Sequence, residues 1–148
     1  MDPISRFFYF LFTNKIFLSV FFSMIISVIT KIIIIYVKEK NPKLKTLYRD
    51  GGMPSTHTAS VVGITFGIYL FDGINTMFVV SLVFAAIVIH DAMGVRKETE
   101  KHAKFLNELI KNQKIDKTLF SEHIGHKLPE VIVGALIGLI VPTIIYLI

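Results

Sequence analysis

The chain has 148 residues, 53% of them apolar, and carries a net charge of +5 at pH 7 without a single cysteine. This length suits one domain, residues 1–148, and the missing cysteines exclude a disulfide framework and thiolate metal sites. The basic residues lie in loops that flank apolar runs and match no nucleic-acid-binding motif, so we expect no nucleic-acid partner.

Two apolar runs near the ends of the chain are long enough to cross a bilayer as helices. The first, residues 16–37, contains one charge, Lys31, and the second, residues 129–148, carries only Glu130 at its edge. A helix of about 20 apolar residues spans the roughly 30 Å of hydrocarbon in a bilayer. The aromatic segment 7–12 precedes the first run and is predicted to lie in the membrane interface.

Two shorter apolar runs, residues 58–71 and 75–89, are separated by a polar turn around Gly73. They predict a transmembrane hairpin of short or tilted helices. The alternative is a soluble helical core, against which four apolar runs in so short a chain argue. Apolar residues then recur at helical spacing within residues 98–111, which predicts an amphipathic helix on the membrane surface. The predicted fold is all-α, an integral membrane helical bundle of about four transmembrane helices plus that surface helix.

The basic residues indicate how the bundle is oriented. Of the 16 lysines and arginines, five lie between positions 38 and 49, and eight more lie between positions 96 and 127. Four spans place both segments on the same side, which the excess of positive charge makes cytoplasmic. Lysines there also attract anionic membrane lipids. All five histidines lie on or beside this face, and topology alone gives them no role.

The stretch GGMPSTH separates the first two membrane runs and has the composition of an anion site. Gly52 allows backbone to approach a ligand, and Pro54 suits the first turn of a helix, where Ser55 and Thr56 supply hydroxyls. The N–H groups at such a helix start bind phosphate, and His57 lies beside them. The alternative is an ordinary capped helix after a loop.

A second histidine, His126, lies four residues before Glu130. The two side chains meet either on one helix face or, if Pro129 starts the helix, across the turn. A carboxylate beside an imidazole fixes its tautomer and stabilises its cationic form, which suits a nucleophile or a proton carrier.

Arg96 follows the third apolar run and offers a planar fork suited to phosphate. Asp91, at the end of that run, is placed to orient Arg96 or a histidine. Neighbouring lysines have the composition of a solvated basic loop: Lys97, Lys101 and Lys104.

Three stretches taken together resemble a known superfamily. PSTH resembles the P-S-G-H signature of the type 2 phosphatidic acid phosphatases, which are related to vanadium haloperoxidases, and HKLPEVIVGALIG resembles their H-x-x-x-D-V-x-x-G-x-x-x-G segment. With DAMGVRKETEKHAKFLNELI, these stretches resemble the divergent branch of that superfamily. The resemblance implies a metal-independent phosphatase without a cofactor, in which His126 attacks phosphorus, Glu130 orients it and His57 protonates the leaving oxygen. It implies phosphate-binding roles for Lys31, Arg49, Ser55 and Arg96, supported by Gly52, Thr56 and Asp91.

The sequence departs from the common signatures of that superfamily. Arg96 and His102 have the usual S-R-x5-H spacing, but Leu106 stands where the carboxylate belongs. The resemblance to the divergent branch implies a signature split by the surface helix, with His126 as the nucleophile and His102 as a bystander. The K-x6-R-P signature is absent, and the divergent branch carries instead a lysine late in its first span, which Lys31 matches. The alternative for Lys31 is snorkelling to the interface.

The expected function is hydrolysis of a phospholipid phosphate through a phosphohistidine. The substrate would be a headgroup phosphomonoester in the inner leaflet, such as phosphatidylglycerophosphate or phosphatidate. The alternative is a non-catalytic membrane protein that binds anionic lipid or a partner. A homo-oligomer is compatible with either function.

Single cysteines in place of Asn41, Asn75 and Asn112 test the topology, since the natural chain has none. In intact cells, a membrane-impermeant thiol reagent should label position 75 and leave positions 41 and 112 unlabelled. Labelling of 41 and 112 but not 75 would reverse the topology and move the substrate to the outer leaflet.

Overall fold

Six helices make up most of the residues described by the computed structural model, which are residues 2–39, 51–113 and 119–148. The predicted membrane runs and surface helix are confirmed within a few residues. The helices are α1 (Pro3–Thr13), α2 (Lys15–Lys38), α3 (Thr56–Asp72), α4 (Thr76–Met93), α5 (Val95–Asn112) and α6 (Leu128–Leu147).

Short polar side chains begin the helices of the membrane bundle. Asn14 accepts a hydrogen bond from the Phe17 N–H at the start of α2, and Asn75 accepts one from Phe78 at the start of α4, both at 2.9 Å. Such N-caps satisfy backbone donors that the first helical turn leaves unpaired. Gly73 ends α3 with a φ of 73°, a left-handed conformation that glycine adopts without strain.

Helix α3 occupies the middle of the bundle and packs against α2, α4 and α6. Within the described residues, three helical stretches are long and apolar enough to cross a membrane, namely Lys15–Lys38, Thr76–Asn112 and Leu128–Leu147. Helix α3 has 17 residues and is therefore about 26 Å long. Because the longer helices surround it, this short helix presents little of its surface to lipid.

The bundle places small and polar residues inside and large apolar residues outside. Serines and Lys31 line the buried face of α2, whereas Ile33 and Val37 of the same helix are 56% and 81% exposed. Helix α4 likewise exposes Val80 at 58% and Ile87 at 61%. Such an apolar exterior is unfavourable in water but suits hydrocarbon, where close packing of small residues drives helix association. The protein is an all-α membrane helical bundle.

Pairs of glycines bring the helix backbones together. A methyl group on Gly63 would lie 2.7 Å from the Ser23 hydroxyl, so α3 lies directly against α2. On α6, a methyl group on Gly134 would lie 2.5 Å from the Ser55 carbonyl oxygen, and one on Gly138 would lie 2.7 Å from that of Ala59. Glycine at these positions lets α2, α3 and α6 pack with their backbones in contact.

Backbone hydrogen bonds join the loops at one end of the bundle. The Gly51 N–H donates to the His123 carbonyl at 3.0 Å, and the Ser55 N–H donates to that of Glu130 at 2.9 Å. The His126 N–H donates to the carbonyl of Ala92, at the end of α4, at 3.0 Å. The starts of α3 and α6 therefore lie beside the end of α4.

Helix α5 continues from α4 and packs on the loop that leads into α6. Asn107 is 1% exposed, and its amide nitrogen donates to the Phe120 carbonyl at 2.9 Å and to the Glu122 carboxylate at 2.7 Å. Another face of α5 leaves Phe105 and Leu106 62% and 43% exposed. This apolar face is the one that the sequence predicted to lie on the membrane surface.

Replacing Gly138 by alanine should destabilise the bundle by about 1–3 kcal/mol, because the added methyl group meets backbone that cannot move aside. Thermal unfolding in detergent would measure the loss. Val80→Ile also adds one methyl group, but on a lipid-facing side chain, and should leave the melting temperature nearly unchanged. Equal stability of the two variants would show that α3 and α6 are less closely packed than described here.

Candidate active site

His126 lies at the centre of the site and is 2% exposed. It belongs to the loop before α6, and its backbone is tied to Ala92 by the hydrogen bond described above. A side chain on the preceding Gly125 would lie 2.7 Å from the Lys97 Cα atom, so the loop also rests on the start of α5. Three elements, α4, α5 and α6, thus fix the position of this imidazole.

Glu130 accepts a hydrogen bond from His126, with 3.1 Å between Nδ1 and Oε2. The same oxygen accepts from the Lys127 N–H at 3.1 Å, which makes Glu130 part of the N-terminal cap of α6. The predicted contact is confirmed, and it forms across the turn because His126 precedes the helix. A proton on Nδ1, held by the carboxylate, leaves Nε2 as the basic ring nitrogen.

Burial lowers the pKa of His126, and the adjacent Glu130 carboxylate opposes this effect. The positive charges of Lys31 and His57 lower the pKa further. The net result is a pKa below the ordinary histidine value, so the buried ring is neutral at neutral pH.

Lys31 is 7% exposed and therefore points into the protein rather than toward lipid or water. It continues the buried face of α2 that carries Ser19, Ser23 and Ser27, each four residues from the next. This stripe faces α3, whose first turn carries His57. The burial of Lys31 contradicts the snorkelling alternative.

The residues around the start of α3 have structural roles in addition to any role in binding. Ser55 is fully buried and caps α3, since its Oγ accepts from the Thr58 N–H at 3.4 Å and also from the Thr58 hydroxyl at 2.9 Å. Thr56 accepts from the Ser27 hydroxyl at 3.3 Å and so joins α3 to α2. Gly52 has a φ of 103°, which favours glycine. The side chain of His57 is exposed.

Asp91 binds Arg96, with 2.6 Å between Oδ2 and Nε, and both side chains are about one-third exposed. This is one of the two partners predicted for Asp91. Arg96 does not line the cavity beside His126. Its phosphate-binding role therefore stays a prediction, as does that of Ser55. Arg49 lies outside the described residues.

A cavity of about 270 Å³ opens beside His126 and Glu130. Its wall contains charged residues that the sequence did not single out as functional, namely Lys97, Glu100, Lys104, His123 and Lys127. Lys97 and Lys104 are exposed, as predicted for a solvated basic segment, and they also line this cavity. The sequence feature that could have indicated this is the helical spacing of the two lysines with Glu100, which places the three residues on one face of α5. His102 is exposed and does not line this cavity, in keeping with the bystander role predicted for it.

The electrostatic contacts predict opposite effects of two substitutions on the titration of His126. Lys31→Met should raise the pKa of His126 by removing a nearby positive charge, and Glu130→Gln should lower it by removing a negative one. NMR of ¹³C-histidine-labelled protein in detergent would follow the titration. Lys15→Met, at the other end of α2, is the matched control. An unchanged midpoint in Lys31→Met would place the ammonium away from the imidazole.

Comparisons with known proteins give the same relationship as the motifs. A family model described as "Divergent PAP2 family" matches residues 12–141. The chain is 28% identical, over 151 aligned residues, to "Uncharacterized membrane protein YuiD" of Bacillus subtilis (strain 168), with 91% of this chain and 96% of that relative covered. No solved structure matches the chain. Because the family model spans most of its length, the chain belongs to the divergent PAP2 family.

Proposed function

We propose that this protein is a membrane lipid phosphate phosphatase that works through a phosphohistidine on His126. One observation carries the proposal, namely a buried neutral imidazole bonded to Glu130 and placed near the charges of Lys31 and His57. A histidine with its Nδ1 bonded to a carboxylate and a lowered pKa presents a nucleophilic Nε2. Membership of the divergent PAP2 family supports the same chemistry.

In the first step, Nε2 of His126 attacks phosphorus, and the bond from phosphorus to the lipid alcohol oxygen breaks. The ring becomes cationic as the P–N bond forms, and Glu130 stabilises that charge through the Nδ1 proton. Protonated His57 gives its proton to the leaving alkoxide. The Lys31 ammonium, whose charge acts on His126, would compensate charge on the phosphoryl oxygens.

In the second step, water attacks phosphorus on the opposite side from the P–N bond. His57, now neutral, accepts a proton from that water. The P–N bond breaks, phosphate leaves and the electron pair returns to Nε2, which restores the neutral imidazole. His57 thus acts as acid in one step and as base in the other, a role that suits a histidine exposed to water.

The location of these groups supports a lipid as the substrate. His57 lies in the first turn of α3 and His126 just before α6, so both lie at the end of a bundle whose outer surface is apolar. A lipid headgroup reaches this depth while its acyl chains stay in the bilayer. The basic loops at this end favour the cytoplasmic leaflet.

Purified protein should hydrolyse a phospholipid phosphomonoester, and His126→Ala should abolish both turnover and any trapped phosphoenzyme. His57→Ala should reduce turnover by about 10²–10⁴-fold, and less for nitrophenyl phosphate, whose leaving group needs no proton. Glu130→Gln should be impaired less than His126→Ala, since it retains a hydrogen bond. Phosphate release and phosphohistidine detection measure these effects.

His102→Ala is the matched control, because this histidine is exposed on α5. If His102→Ala removes activity and His126→Ala does not, the nucleophile has been assigned to the wrong residue. Well-folded wild-type protein that hydrolyses none of a panel of phospholipid phosphates would favour the non-catalytic, lipid-binding alternative.

A further inference from the structure

The cavity beside His126 contains more positive charge than the reaction uses. Lys97, Lys104 and Lys127 line it, and none of them has a role in the two steps proposed above. They come from two elements, the polar face of α5 and the loop before α6, which the fold brings to one wall. These lysines are grouped in the wall of one cavity, whereas the lysines of an ordinary solvated loop are scattered.

The carboxylates in the same wall are already engaged by protein donors. Glu100 accepts from the Lys104 ammonium at 2.5 Å and from the Gly125 N–H at 3.2 Å. Glu130 accepts from His126 and from the Lys127 N–H. Lys104 thus neutralises Glu100, whereas Glu130 keeps its negative charge beside the neutral His126. Three lysines and two glutamates give the cavity wall one net positive charge.

Neither Lys97 nor Lys127 forms a salt bridge with any residue in the described part of the chain. Lys101, on the same helix but outside the cavity wall, contrasts with them because it is paired with Glu98 at 2.6 Å. Two unpaired ammonium groups beside a nucleophile form a site for an oxyanion.

The cavity has room for more than one phosphoryl group. Its volume of about 270 Å³ corresponds to roughly nine water molecules at 30 Å³ each. Gly51, Gly52 and Gly125 line it without side chains, and a side chain on Gly51 would lie 2.8 Å from the Gly125 carbonyl oxygen. A glycerol unit with a second phosphate fits a space of this size.

We infer that this cavity binds a second anionic group of the substrate headgroup, a phosphodiester, while the phosphomonoester to be cleaved lies at His126. The inference rests on the proposed function and narrows its substrate class. It favours a headgroup in which a glycerol links a phosphodiester to a terminal phosphomonoester. Phosphatidate carries only the monoester and has no group to fill the cavity.

The test compares kcat/KM for phosphatidylglycerophosphate and phosphatidate in mixed micelles of the full chain. In Lys97→Gln and in Lys127→Gln, the ratio of the two values should fall by about tenfold each, as expected for one lost charge-assisted hydrogen bond. Lys101→Gln, the matched control, should leave the ratio unchanged. An equal loss on both substrates would overturn the inference, because it would indicate general attraction of anionic lipid.

Two further measurements separate this inference from the proposed function. If the wild type hydrolyses neither lipid, the proposed function fails, and calorimetric titration with short-chain forms of both lipids still tests the cavity. Tighter binding of the two-phosphate headgroup, lost in the double variant Lys97→Gln/Lys127→Gln, would support the inference, and equal binding of both lipids would overturn it.

The second measurement uses inorganic phosphate as the ligand. Inhibition by free phosphate that the double variant relieves, with an unchanged substrate ratio, would assign the cavity to free phosphate and overturn the headgroup assignment.

Discussion

At Gly134 and Gly138 the backbone of α6 lies against Ser55 and Ala59 of α3, closer than any side chain would allow. The hydrogen bond from the Ser55 N–H to the Glu130 carbonyl locks the same pair of helices at their starts. The two histidines and the glutamate proposed for catalysis depend on this contact. His57 stands in the first turn of one helix, and Glu130 holds His126 at the first turn of the other. In hydrocarbon, where apolar side chains gain little by leaving lipid, such close packing supplies the association energy.

The site also depends on what the bundle excludes from lipid. Lys31 is a charge late in α2, and exposure to hydrocarbon would be costly. The stripe of serines that leads to it keeps the α2 surface small, so α3 packs closely along the stripe, and Lys31 at its end is buried. Contacts of the loop before α6 with α4 and α5 hold His126 away from water, and this burial lowers its pKa. Burial therefore shields the lysine from lipid and keeps the proposed nucleophile neutral.

Helix α5 joins an exposed apolar face to the loop that carries His126, the proposed nucleophile. Its apolar face is exposed, its buried Asn107 holds the loop before α6, and Glu100 bonds the Gly125 N–H next to His126. Its lysines complete the wall of the cavity. This helix is the segment that separates Arg96 from His126 and Glu130 and so splits the arginine–histidine–carboxylate signature that the sequence resembles. It is a surface element that touches the active-site loop and adds positive charge beside it.

Hydropathy, charge distribution and capping residues are local properties, so the sequence by itself determined the membrane helices, the surface helix and the grouping of the basic loops. It also predicted the contact between His126 and Glu130, because four residues separate them and a turn or a helix brings them together. Only the tertiary structure decided that Lys31 is enclosed and that Asp91 binds Arg96. Only the tertiary structure placed Lys97 and Lys104 in the wall of the cavity beside His126, since the face that α5 presents to the loop depends on packing between segments far apart in the chain. Lysines that line a cavity and lysines elsewhere on a helix surface have the same local sequence signal, and only the position of the neighbouring loop distinguishes them.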